Sequence, residues 1–308
     1  MQSTQTSKQE NSPFVQVLLL GVYAIGGLLL AMVIGFAVAF IFYGPGLVKD
    51  LSWVSGDNPK YVGALKILLT AQQIGLFLAP ALLLGITEGK KPQNFYGLKK
   101  PNLNILFTVF LIMACSIPLM GWINDTNQKM VLPEFLKSIE EWMRIKEDEG
   151  AKTTQALLKM KSAADFLITL LIVAIVPAIC EEFLFRGALQ RTFLRWIKNP
   201  HVAIWISAII FSTIHLQFYG FFPRLFLGAA FGYIYFWTGS LWYTIFAHFL
   251  NNGFAVAISW YFQRKNMPIN GDEEIPVQWY GYVISAILTL TLFKLLKDRA
   301  TKKSVAEL

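Results

Sequence analysis

Long apolar runs separated by short polar stretches organise this chain. They lie at roughly Phe14–Tyr43, Gly63–Ile86, Asn104–Ile123, Asp165–Cys180 with a helical continuation, Val202–Leu216, Leu225–Trp237, Leu241–Phe262 and Val277–Leu296. About 20 apolar residues in a helix cross a hydrocarbon core of about 30 Å. The pattern therefore predicts an all-α fold, a polytopic membrane helical bundle of about eight transmembrane helices over residues 14–296. The fifth and sixth runs are short for the task and need tilt, local thinning or burial against neighbours.

One sizeable polar segment, residues 124–164, separates the third and fourth runs. Within it Phe135, Ile139, Trp142 and Lys146 recur at helical spacing, with Glu140, Glu141, Arg144 and Glu147 on other faces. An amphipathic helix at the outer interface, or capping the bundle, is expected, its charges forming a solvated face.

Composition agrees with membrane residence: 55% of the 308 residues are hydrophobic and 15% charged, with a mean hydropathy of +0.49. The net charge of +8 is concentrated at the ends of apolar runs. Three basic clusters (Lys90, Lys91, Lys99 and Lys100; Arg186, Arg191, Arg195 and Lys198; Lys294, Lys297, Arg299, Lys302 and Lys303) fall on one side when eight spans are threaded. The positive-inside rule then places an N-terminal tail, 1–13, and a C-terminal tail, 297–308, in the cytoplasm. No basic stretch interleaved with aromatics argues for nucleic acid as a partner. Cys115 and Cys180 both sit in apolar runs and read as small buried side chains. The first run is too long for a signal core and reads as a retained span.

Ionisable groups at membrane depth are costly and need a partner or a task. The wholly apolar run from Ile172 to Cys180 leads into Glu181 and Glu182, and Arg186 follows Glu182 at i+4, the favoured orientation for a helical ion pair. Glu181 points about 100° away around the helix and needs another partner. His215 and His248, in the fifth and seventh runs, can supply one; His248 and Asn252 are again at i and i+4, on one helix face. Pro177 removes a backbone hydrogen bond one turn before Glu181 and is expected to bend the helix.

A carboxylate and a histidine can hold and deprotonate a water that attacks a peptide carbonyl. Glu181, His215 and His248 also resemble the three protein ligands of a catalytic zinc site. In either scheme His248 and Asn252 suit an oxyanion. Ser212, three residues before His215, lacks a nucleophile-elbow motif, and His201, following Pro200 at a helix start, reads as interfacial. The bland alternative makes each His a hydrogen-bonding group between helices and the Glu–Arg pair a packing device.

At these residues the sequence resembles the CPBP family of intramembrane proteases, which includes the eukaryotic CAAX prenyl endopeptidases and the bacterial Abi or bacteriocin-processing proteins. The EExxxR motif is met by Glu181, Glu182 and Arg186, FxxxH by Phe211 and His215, and HxxxN by His248 and Asn252, in the family's order. The motif-bearing core is 165–252. The resemblance implies an intramembrane endopeptidase of the bacterial cytoplasmic membrane acting on a peptide or membrane-protein substrate in the lipid bilayer. It implies that Glu181 and His215 activate the water while His248 and Asn252 form the oxyanion site, and it leaves zinc and a metal-independent glutamate mechanism as alternatives. A non-catalytic immunity or scaffold protein of the same fold is the competing reading, and an ion-coupled transporter a third.

Upright helices place His215 near the outer end of the fifth run, away from Glu181 and His248. Either the run boundaries are wrong, or the fourth helix continues well past Arg186 and the fifth is tilted or displaced, and the expectation is displacement.

Overall fold

A computed structural model describes residues 9–267 and 277–306. The tail before residue 9 and the last two residues lie outside the described residues, as do the side chains of Lys302 and Lys303. The described residues form helices without strands. The main ones are α1 Pro13–Tyr43, α2 Pro59–Thr87, α3 Leu103–Gln128, α4 Lys137–Leu158, α5 Ala163–Ile197, α6 Pro200–Thr213, α7 Phe221–Thr238, α8 Leu241–Arg264 and α9 Trp279–Ala306.

Every predicted apolar run is a helix. Among the described residues, five helices (α1, α2, α3, α5 and α9) are long and apolar enough to cross a membrane. The protein is a polytopic helical membrane protein. The other three runs fall short for different reasons: α6 has only 14 residues, α7 is long enough at 18 but includes Pro223, Arg224, Tyr233 and Tyr235, and α8 carries His248, Asn251 and Asn252 in its middle. The predicted amphipathic helix is α4, and α9 runs on to Ala306, into the expected C-terminal tail.

Local chemistry sets the ends of the helices that build the site. The Ser162 side chain accepts from the Asp165 N–H, and Asp165 answers the Ser162 backbone, a capping box that starts α5. At the other end Lys198 adopts a left-handed conformation (φ 59) and Asn199 caps α6, with Pro200 in the first helical position. This tight reversal folds α6 back along α5.

The reversal answers the question of depth. At about 1.5 Å per residue the 35 residues of α5 extend roughly 50 Å, well beyond the apolar core. Glu181 therefore lies near its middle. Running antiparallel, α6 brings the Ser207 hydroxyl within 3.0 Å of the Phe185 carbonyl and the Phe211 ring 5.1 Å from the Phe185 ring. His215, just past the end of α6, is thereby carried towards Glu181. The fourth helix thus continues well past Arg186, and α6 returns along it.

Packing surrounds α5 with α2, α6 and α8, while α3 pairs with α9 and α6 with α7. Against α2 lies α1, crossing where Gly27 meets Gly75, a contact with no room for a Cβ on either helix. The core nearest the site is aromatic and aliphatic: Phe77, Tyr96, Ala178, Phe183, Phe185 and Phe211 belong to one buried cluster.

Candidate active site

Two helices near the centre of the bundle contain three wide π-helical turns, at Ile74–Leu78 in α2 and at Leu170–Ile175 and Phe183–Gln190 in α5. Such turns shift side chains off the regular helical period and recur at functional sites. Two of them precede a proline in the following turn, Pro80 and Pro177. Pro177 has no N–H to give to Val173, four residues earlier. The Asn252 amide donates to the Val173 carbonyl instead, at 3.1 Å, so the break in α5 is closed by a side chain from α8.

Glu181 and Glu182 end the turn that follows Pro177. Glu182 is fully buried, and Arg186, 1% exposed, donates to its Oε1 at 2.7 Å. The same oxygen lies 2.9 Å from His248 Nδ1. A carboxylate oxygen bonded to Arg186 can only accept here, so Nδ1 carries the proton and Nε2 faces away from Glu182. Arg186 gives its other amino group to the Gly228 carbonyl at 2.9 Å and lies over the faces of Phe211 and Phe231. The Phe231 ring also stacks on His248. The predicted ion pair therefore has a second task, orienting a histidine on another helix.

Glu181 turns to the other side, as its angular position requires. Its Oε1 accepts from Gln73 Nε2 of α2 at 3.1 Å, and its Oε2 lies 3.9 Å from His248 Nε2. His215 donates from Nδ1 to the Phe211 carbonyl at 2.8 Å, since a carbonyl only accepts. That choice of tautomer leaves the Nε2 lone pair free. Asn252, besides holding Val173, accepts from Asn251 through its Oδ1 at 3.1 Å.

Glu181, His215, His248 and Asn252 line one cavity of about 130 Å³, together with Phe211, Arg224, Leu227, Phe231 and Asn251. The volume accommodates several waters. Glu182 and Arg186 stand behind the wall. Of the lesser candidates, the Ser212 hydroxyl donates to the Phe221 carbonyl at 2.7 Å and does not line the cavity. His201 is exposed and meets the Tyr233 hydroxyl at 2.8 Å. Among the described residues no three His, Cys, Asp or Glu side chains are grouped so as to hold a metal ion; the donors Glu181, His215 and His248 share the cavity without forming such a set.

Residues 163–254 match the family model of the Rce1-like type II CAAX prenyl endopeptidases. Over that segment the chain is similar to the Rce1-like family. The curated proteins it resembles include YpbD of Bacillus subtilis (strain 168), an uncharacterized protein, 29% identical over 107 residues that are 33% of this chain and 49% of the relative. YdiL of the same organism, whose name describes a candidate membrane peptidase, is 32% identical over 110 residues, 34% of this chain and 42% of the relative. The aligned stretch thus spans about half or less of these relatives. No solved structure matches.

The Rce1-like segment contains all seven motif residues, and the site adds three polar ones that the motifs do not name, Arg224 and Asn251 on the cavity wall and Gln73 bonded to Glu181. Gln73 lies outside the segment, in α2, where its polar side chain inside an apolar run was the available signal. Arg224 precedes the assigned start of the sixth run by one position and resembles an ordinary end-of-span cation. Asn251 adjoins Asn252, and only the fold shows it on the cavity wall.

Proposed function

We propose that the chain is an intramembrane endopeptidase that hydrolyses a peptide bond of a peptide or membrane-protein substrate with a water held by Glu181 and His215. The observation that carries this reading is the convergence of Glu181, His215, His248 and Asn252 on one small cavity, although they come from α5, the turn after α6, and α8. The Rce1-like match supports the same chemistry.

In the proposed reaction the His215 Nε2 lone pair accepts a hydrogen bond from the water and Glu181 takes its proton, while Gln73 fixes the carboxylate. The water oxygen bonds to the substrate carbonyl carbon, and the electron pair of the C=O moves to oxygen. In this step His248 acts as the imidazolium, its Nδ1–H kept on Glu182, and its Nε2–H and the second Asn252 N–H donate to that oxyanion. The carbonyl re-forms, the C–N bond breaks, and Glu181 returns its proton to the departing amine. General base catalysis supplies about 10²–10⁴-fold, and each oriented oxyanion donor about 10²–10³-fold. Glu182 and Arg186 hold the His248 ring against Phe231. The surrounding bilayer, with both termini on its cytoplasmic side, sets which substrates reach the cavity.

Reconstituted into lipid vesicles with a library of membrane-protein peptides, the unaltered chain should cleave, and folded Glu181→Ala should not. Undiminished turnover in that variant overturns the proposal. An intact cellular phenotype of Glu181→Ala would favour the scaffold reading instead.

A further inference from the structure

A second guanidinium shares the cavity with Glu181. Arg224, in the first turn of α7, donates to the Gln217 carbonyl at 2.8 Å and to Gln217 Oε1 at 2.7 Å. Gln217 is itself held. Leu216 before it takes a left-handed φ of 53, and the backbone of α4 lies against its side chain at Gly150, where a Cβ would collide with it. Arg224 is thus a positioned group rather than a mobile surface cation.

Its electrostatic state differs from that of Arg186. Arg186 has Glu182 at 2.7 Å, whereas both bonds from Arg224 go to neutral acceptors, and among the described residues it takes part in no ion pair within 4.0 Å. The acids whose fields reach it are Glu147 and Glu181. Glu147 accepts from the Tyr219 N–H at 3.2 Å, and Glu181 from Gln73. A guanidinium has five N–H donors in a planar fork that fits a carboxylate bidentately. Two are spent on Gln217, and the group borders a cavity that already contains the residues proposed to cut a peptide.

We propose that Arg224 recognises a carboxylate of the substrate, either its C-terminus or an Asp or Glu side chain, and thereby selects the bond presented to Glu181 and His215. The inference rests on the peptidase reading. A cavity this small ties the anchored carboxylate to a position within a few residues of that bond, since an extended chain advances about 3.3 Å per residue. Glu181 in the same cavity repels a second carboxylate. Acidic substrates are therefore accepted only because Arg224 offsets that repulsion, and without Arg224 the preference should reverse towards neutral peptides.

The probes are synthetic peptide pairs that differ only in a free or amidated C-terminus, or in Asp against Asn and Glu against Gln. Binding is measured on full-length Glu181→Gln protein in lipid nanodiscs, and cleavage on protein with Glu181 intact. With Arg224 present, one kind of acidic member should bind at least about tenfold tighter than its neutral twin and be cleaved with a correspondingly lower KM at similar kcat. The pair that discriminates identifies the source of the carboxylate. Arg224→Gln should abolish or reverse the difference, and Arg224→Lys should retain part of it. Equal binding of every acid and its twin by protein with Arg224 overturns the proposal without any variant, so a folding failure does not shelter it. A preference unchanged in Arg224→Gln also overturns it, as does a loss confined to kcat, which would assign the guanidinium to the oxyanion. Discrimination in binding without cleavage by the unaltered chain would instead defeat the peptidase reading.

Discussion

Helix α5 carries two arginine–carboxylate clusters little more than a turn apart, and they do different things. Arg186 and Glu182 are dry, 1% and 0% exposed, and their carboxylate also holds His248. Arg191 and Arg195 meet Glu10 at 2.8 and 3.1 Å, with Lys90 at 3.0 Å, and all four remain partly exposed. The second cluster ties the segment before α1 to the far end of α5. The pair chemistry is the same in both, so burial and the next residue in contact decide whether a pair supports a site or acts as a clamp.

Removing the cation of the buried pair should have the largest effect on stability. Arg186→Met leaves the Glu182 charge unpaired and should cost about 3–5 kcal/mol, read as thermal unfolding in detergent; a cost below about 1 kcal/mol would erase the contrast. Glu182→Gln keeps the shape but weakens the acceptor that orients His248, and should lower cleavage at least about tenfold with little change in KM. Glu10→Gln should cost about 1 kcal/mol or less, shrinking further at high salt, and should leave turnover intact. The smallest effect is one of pH. Chiefly the Arg191 hydrogen bond, against the cost of burial, holds the Glu10 carboxyl down at about 2 from an ordinary 4.5. A carboxyl depressed in the folded state contributes stability above its unfolded value that fades as pH falls from 4.5 towards 2. Hydrogen exchange of residues 9–15 should therefore quicken over that window, and Glu10→Gln should abolish the dependence.

Much of this contrast was legible in the sequence. Ionisable residues inside apolar runs stood out because hydrocarbon penalises them, and the i, i+4 spacing of Glu182 and Arg186 announced their bond. The contact between Glu182 and His248 joins residues 66 apart, and no local period reports it. The π-helical turns are invisible to a 3.6-residue pattern, and so is the hydrogen bond by which Asn252 takes up the Val173 carbonyl that Pro177 leaves free. Arg224 escaped notice because a cation at the end of an apolar run satisfies topology equally well. The level of His215 stayed open because the polar and apolar residues from Arg191 to Ile197 do not mark where α5 ends.

The central claim is that the buried acids of α5 do chemistry and the outer cluster does not. Its most direct test is side-by-side cleavage of one peptide library by vesicle-reconstituted Glu181→Gln and Glu10→Gln, with thermal unfolding measured on both. Turnover should fall about 10²-fold or more in Glu181→Gln with its unfolding temperature little changed, and persist in Glu10→Gln. Equal turnover in the two variants would contradict the account.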